Sequence, residues 1–128
     1  MLQKNKIYDC LTFFDENLLV NLRFEILKDV VDYFIVCESM YDHKGEKKEI
    51  NFKLKNSNFK DKVKHIVIDE NFPNLKDGWE TESYQREKII NELQDVKNED
   101  YVMYSDSDEI PNPNILKNLL LNKKYGIF

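Results

Sequence analysis

Four short apolar runs recur along the chain, each closed by acidic residues, and two of the three intervals between them carry helical periodicity; this alternation constrains the fold more than any other feature. Residues 7–14 (IYDCLTFF), 33–37 (YFIVC), 63–68 (VKHIVI) and 101–104 (YVMY) are rich in β-branched and aromatic side chains and are expected as strands. After the first, the polar cluster Asp15-Glu16-Asn17 is suited to opening a helix. Leu18, Leu19, Leu22, Ile26 and Leu27 then recur at three- and four-residue intervals, and these apolar residues are expected to form the buried face of a helix ending near Lys28-Asp29. In residues 79–96, Trp79, Arg86, Ile89, Ile90, Leu93 and Val96 fall close to one stripe, which puts Arg86 on the buried face of a second helix. Pro111 and Pro113 introduce a third over about residues 114–121, and residues 125–128 read as the start of another strand. The polar, lysine-rich stretch 41–58 contains Gly45 and reads as a loop with a short helix around residues 52–56. Strands alternating with helices imply an α/β fold: a mainly parallel sheet with helices on both faces.

A length of 128 residues fits one domain, and 41% hydrophobic residues suffice for a packed interior. The net charge of −5 argues against nucleic acid as a partner, because phosphate contacts call for a basic face. A small anionic ligand would then need a metal ion or a few local cations. No run approaches the ~20 apolar residues of a transmembrane span, and residues 1–6 lead into the first strand without the apolar core or cleavage site of a signal peptide. Cys10 and Cys37 lie in strand-like runs without metal-site or redox spacing, so two buried, reduced thiols are expected. The chain stops on an apolar run with no helix after it, from which a truncated domain is expected.

In open α/β sheets, ligands bind at the carboxyl ends of the strands. Here those ends read Asp15-Glu16, Glu38, Asp69-Glu70 and Asp106-Ser107-Asp108-Glu109, so every strand delivers carboxylates to one edge. Asp15 and Asp69 are adequately explained as caps and turn formers. Asp106 and Asp108 differ, because two residues apart in an extended segment they would share a face. Paired carboxylates repel unless a cation lies between them, and a hard divalent ion such as Mg²⁺ or Mn²⁺, shared with substrate phosphates, is the usual answer.

The segments IYDCLTFFDENLLVNLRFEIL, VVDYFIVCES, SYQREKIINEL and above all YVMYSDSDEIPNP resemble glycosyltransferase family 17, over nearly the whole chain but only about the first half of a family catalytic domain. The resemblance implies a GT-A-like, Rossmann-like fold in which residues 1–128 are the nucleotide-sugar-binding, or donor, half. It further implies a UDP-sugar donor (UDP-GlcNAc in the best-known members), a divalent metal, Mn²⁺ or Mg²⁺, and inverting transfer to a glycan acceptor. By position, Asp106 and Asp108 would form the D-x-D element, Asp108 on the metal and Asp106 on the ribose or a metal-bound water, with Glu109 a supporting partner. Glu38 would lie near the nucleotide, as a ligand or as a buried structural partner. Arg86 would meet phosphate or a D-x-D carboxylate, or else form an ion pair with Glu38 or Asp106. An inverting transfer needs a carboxylate base; no residue here is assigned to it, and it is expected beyond Phe128, which would leave this piece a weak donor binder with little or no transfer activity.

His65 and His43 have no partner at a ligand-set or triad spacing, and Trp79 and Tyr84 on a helical stripe read as core sooner than as stacking platforms. A nucleotidyltransferase would show a Gly-rich loop after the first strand, where this chain has Phe13-Phe14-Asp15-Glu16. A phosphoaspartyl phosphatase would carry its Asp-x-Asp there. A non-catalytic remnant or binding module is the reading from a different class.

Overall fold

The computed structural model describes residues 5–42, 44, 46–69 and 78–117. The strands are β1 (Ile7–Phe13), β2 (Tyr33–Ser39), β3 (Val63–Ile68) and β4 (Tyr101–Ser105), and the helices are α1 (Asn17–Leu27), α2 (Gly78–Glu92) and α3 (Pro113–Lys117). All pairings are parallel and the order across the sheet is β3-β2-β1-β4. The strand order therefore reverses between β1 and β4, and a crevice opens beyond their carboxyl ends.

Alternate residues of β1 and β2 feed two cores, as the period of two in a strand requires. Ile7, Leu11, Phe13, Phe34 and Val36 pack with Val20, Phe24 and Leu27 of α1, and with Phe59 and Leu116. Tyr8, Cys10, Ile35 and Cys37 pack on the opposite face with Ile68 and with Ile89 of α2. Helices thus cover both faces of an all-parallel sheet, as the alternation of elements predicted. Each of these fully buried large side chains contributes roughly 1.5–3 kcal/mol of transfer free energy.

The face of α1 differs from the expected one. Leu18, Leu22 and Ile26 are 75%, 50% and 40% exposed, whereas Val20, Asn21, Arg23, Phe24 and Leu27 are buried. The helix has apolar residues around most of its circumference, so apolar spacing alone does not orient it; its polar residues do. Asn17 and Asn21 turn toward residues 51–55: Asn17 Nδ2 donates to Asn51 O (2.6 Å), Asn21 Nδ2 to Lys53 O (2.9 Å), and the amides of Lys53 and Lys55 donate back to the two side-chain oxygens. These bonds hold residues 51–55 without helical structure, and a 3₁₀ turn follows at Ser57–Phe59, so the short helix expected around residues 52–56 is absent.

On α2, Gln85 and Ile89 are buried while Arg86 is exposed and Ile90 is 59% exposed, which corrects the placement of Arg86 on the buried face. Tyr84, Leu93 and Val96 pack against the second core, as expected for Tyr84. The helix stops at Glu92, short of Val96, and the chain turns back into β4 through Asp100, which accepts from the amides of Lys97 and Lys6, both at 2.9 Å. Partial burial works against the charged form of Asp100, yet those two amides hold its carboxyl below the usual range. Glu70, residues 71–77, His43, Gly45, the end of the third helix and residues 125–128 lie outside the described residues, as does the side chain of Trp79.

Cys10 and Cys37 are fully buried and unpaired, and burial pushes both thiols up to about 12, Cys10 with added repulsion from Asp9 and Cys37. A thiolate is the reactive species, so neither is reactive in the native fold. Titration with a chromogenic disulfide at pH 8 is expected to release no thiolate signal from the folded protein and signal from both cysteines in denaturant. Rapid native labelling would mean that the sheet opens on that timescale.

Candidate functional site

The crevice beyond β1 and β4 is a cleft of about 510 Å³, lined by Thr12 and Phe13 at the end of β1 with Phe14 after them, by Ser39 at the end of β2 with Tyr41 and Asp42 beyond it, by Lys48 and Gln85, and by Asp106, Ser107 and Asp108 after β4. The carboxylates predicted at the strand ends have separate fates here. Glu16 and the Asp106–Asp108 segment face the cleft, Asp69 is exposed at the edge of the sheet, and Glu38 is completely buried.

Extended geometry does not continue past Ser105. Residues 106–109 form a turn closed by the Glu109 amide donating to Asp106 O at 3.0 Å, with Ser107 buried and Asp106, Asp108 and Glu109 exposed. The three carboxylates still converge: one oxygen from each lies within 4.8 Å of the others. Glu109 Oε1 also accepts from the Asp106 amide at 3.1 Å, so this side chain helps fix the turn that it belongs to. Clustered exposed oxygens suit a hard divalent cation with several waters, and they offer nothing to a soft metal.

The loop is gripped from beneath by Arg23, a residue that apolar periodicity passes over. Its side chain is 0% exposed and pairs through two nitrogens with the equally buried Asp9 of β1: Nε to Oδ2 at 2.7 Å and Nη2 to Oδ1 at 2.8 Å. Nη2 also donates to Ser105 Oγ at 2.6 Å, and Nη1 donates to the carbonyls of Asp106 (3.0 Å) and Glu109 (2.9 Å), with a longer contact to Ser107 O at 3.5 Å. The guanidinium's planar array of N–H donors suits such a set of acceptors. Two signals announce it in the sequence: Asp9 interrupts an otherwise apolar strand, and Arg23 falls on the same helical stripe as Val20, Phe24 and Leu27.

Arg86 lies on the other side of the loop's origin, its guanidinium carbon 4.6 Å from the centre of the Tyr104 ring, two residues before Asp106.

Glu38 is an anchor. Its Oε2 accepts from Lys48 Nζ (2.9 Å) and the Asn51 amide (2.6 Å), its Oε1 accepts from the Phe52 amide (3.1 Å), and His65 Nε2 lies 3.1 Å from the same oxygen. With both oxygens occupied and no exposure, the carboxylate is placed to fasten residues 48–52 to the end of β2; this geometry favours the structural role over direct contact with a ligand. His65, which lacks a partner in local sequence, finds this one through the β2–β3 register, where it pairs with Val36. Among the described residues, Lys48 is the one basic side chain that lines the cleft. Two of its three N–H groups go to Glu38 and to Glu49 O, which leaves one for an acceptor in the cleft. Sequence reasoning missed it because it is one lysine among Lys44, Lys47 and Lys48 in a polar stretch.

A family model described as glycosyltransferase family 17 matches residues 1–126. The beta-1,4-mannosyl-glycoprotein 4-beta-N-acetylglucosaminyltransferases of Homo sapiens and Rattus norvegicus are each 35% identical to this chain over 104 residues, and that of Mus musculus is 34% identical; each alignment covers 73% of this chain and 19% of the relative. The matched region is thus about a fifth of the length of these relatives. No solved structure matches. A family match over almost the whole chain, together with an all-parallel sheet that carries its acidic loop at the switch point, has one consequence: the chain belongs to glycosyltransferase family 17.

Proposed function

We propose that this chain is the donor-binding part of a metal-dependent glycosyltransferase, taking a UDP-sugar, UDP-GlcNAc in the first instance, for inverting transfer to a glycan hydroxyl. The observation that carries the reading is the cleft at the β1/β4 reversal in a family 17 chain, with Asp106 and Asp108 on one wall and the Lys48 ammonium also in its lining. Asp108 and Asp106 would hold the divalent cation, Mn²⁺ or Mg²⁺, with Glu109 in support through the Asp106 amide. When bound, that ion supplies charge neutralisation to the departing diphosphate, a Lewis-acid contribution that needs no proton transfer.

The chain's own residues have three further tasks. Lys48 offers its remaining N–H to a donor oxygen, and its pairing with buried Glu38 fixes where the ammonium sits. Phe14, half-exposed beneath Lys48 (Nζ 5.3 Å from the ring centre), and Tyr41 give the cleft aromatic surface for the flat base or the sugar face. Arg86, stacked on Tyr104 beside the loop, is a second candidate cation for phosphate. The proton-accepting carboxylate of an inverting reaction is assigned to none of these residues.

Calorimetric titration of UDP and UDP-GlcNAc into the chain, with Mn²⁺ and with EDTA, tests the reading. Binding is expected to require Mn²⁺ and to weaken on the order of 100-fold in Asp108→Ala, since losing a metal ligand exceeds the ~10–100-fold typical of losing a supporting partner. Lys48→Met keeps the aliphatic stem and removes the charge, and a loss of about 10-fold is expected, in line with one charge-assisted hydrogen bond. Binding that ignores EDTA and both substitutions would remove the donor from this cleft.

A further inference from the structure

A buried ion pair is weak evidence for stability, since apolar residues of similar volume often serve a core as well or better. Asp9 and Arg23 therefore call for a reason beyond packing. β4 ends at Ser105, so the carbonyls of residues 106, 107 and 109 have left the strand's ladder. Arg23 Nη1 makes its contacts with those carbonyls, and none of the guanidinium's hydrogen bonds goes to a carboxylate of the loop. Gripped by its main chain from below, the turn buries Ser107 and presents Asp106 and Asp108 to the cleft.

Two electrostatic consequences follow. Three carboxylates with oxygens inside 4.8 Å repel one another, and an unsupported turn would relax by spreading them. The Arg23 bonds oppose that spreading before any cation arrives. A guanidinium directly beneath a cation site would also repel the cation, and Asp9, bound through both oxygens, cancels that charge. The pair supplies rigid donors with no net charge.

We infer that Arg23 is a positioning residue that presets the Asp106–Asp108–Glu109 turn for a divalent cation, with Asp9 and Ser105 holding its guanidinium in register. This rests on the metal reading of the turn proposed above. Arg23→Lys keeps a cation for Asp9 but cannot bond Asp9, Ser105 and the carbonyls of Asp106 and Glu109 together. Ser105→Ala is the milder variant, removing the 2.6 Å acceptor of Nη2 and the hydroxyl's long, 3.4 Å donation to Glu109 O.

The test is a titration with Mn²⁺ alone, free ion being followed by electron paramagnetic resonance, on the wild type, Arg23→Lys, Ser105→Ala and Asp108→Ala. Thermal melting is recorded without Mn²⁺ and at one fixed, sub-saturating Mn²⁺ concentration, and far-ultraviolet dichroism checks the fold. Mn²⁺ affinity is expected to fall about 10–100-fold in Arg23→Lys, the range for partners that orient metal ligands, and about 3–10-fold in Ser105→Ala. The rise in Tm produced by a fixed, sub-saturating Mn²⁺ concentration should shrink in both, whereas a purely structural role would lower Tm equally with and without metal. Should Asp108→Ala lose Mn²⁺ while Ser105→Ala and any folded Arg23→Lys titrate like wild type, the positioning role is overturned and the metal site stands. Should Asp108→Ala itself titrate like wild type, or the wild type bind no Mn²⁺, the metal reading fails and this inference with it.

Discussion

Asp9→Ala is expected to lower stability by ~3–5 kcal/mol, because it leaves the Arg23 guanidinium buried with its counter-charge removed. Both side chains are 0% exposed, so water cannot take over without opening the contact between α1 and the sheet. For a chain of this size the loss corresponds to a fall in Tm of about 10–20 °C, visible in a thermal melt or a urea titration. Combining Asp9→Leu with Arg23→Met is expected to recover much of it, since an apolar pair of similar volume carries no desolvation penalty. The recovered protein would still lack donors for the carbonyls of Asp106 and Glu109, so stability and the geometry of the acidic turn should separate in this double variant. An Asp9→Ala protein within ~1 kcal/mol of wild type would instead mean that the ion pair is hydrated in solution and that α1 does not dock as described.

Glu38→Ala carries the second large effect, and here the damage is local. The carboxylate is the common acceptor for Lys48 and for the amides of Asn51 and Phe52, so its removal deprives a charged donor and two backbone donors at once. A loss of ~3 kcal/mol or more is expected. Much of it should appear as detachment of residues 48–52, and hydrogen exchange at the Asn51 and Phe52 amides should accelerate on the order of 100-fold, beyond any change in the β1 amides. Lys48 would lose its fixed place in the cleft, so the UDP binding proposed above should weaken with the change even though Glu38 need not touch the ligand. Unchanged exchange at those two amides would return Glu38 to consideration as a ligand.

Much of this protein was legible from its residues in order. The apolar runs, their termini and the intervening helical spacing are local properties, and a parallel sheet covered on both faces follows from them. Cys10 and Cys37 read as buried thiols because they sit in strands buried on both sides. The pairing of Asp106 with Asp108 was also visible, although a turn, and not the extended segment expected, brings their carboxylates together.

What sequence could not settle were choices among partners far apart in the chain. A helix apolar around most of its circumference can dock in several rotations, and α1 takes the one that hands Arg23 to Asp9 and turns Asn17 and Asn21 toward residues 51–55, leaving Leu18 and Leu22 to solvent. An aspartate inside an apolar strand signals that a partner must exist, because an unpaired buried charge is too costly, but not which residue supplies it. Glu38 was equally open until the fold gave it Lys48, His65 and two amides, and Lys48 entered the cleft by the same bonds. The sequence by itself determined the elements, the sheet type and the edge where the acidic residues gather, since hydrophobic period and turn chemistry act over a few residues. The tertiary structure alone decided the rotation of α1 and the partners of Asp9, Arg23, Glu38 and Lys48, because a buried charge is satisfied by whichever distant group closure of the fold brings within hydrogen-bond reach.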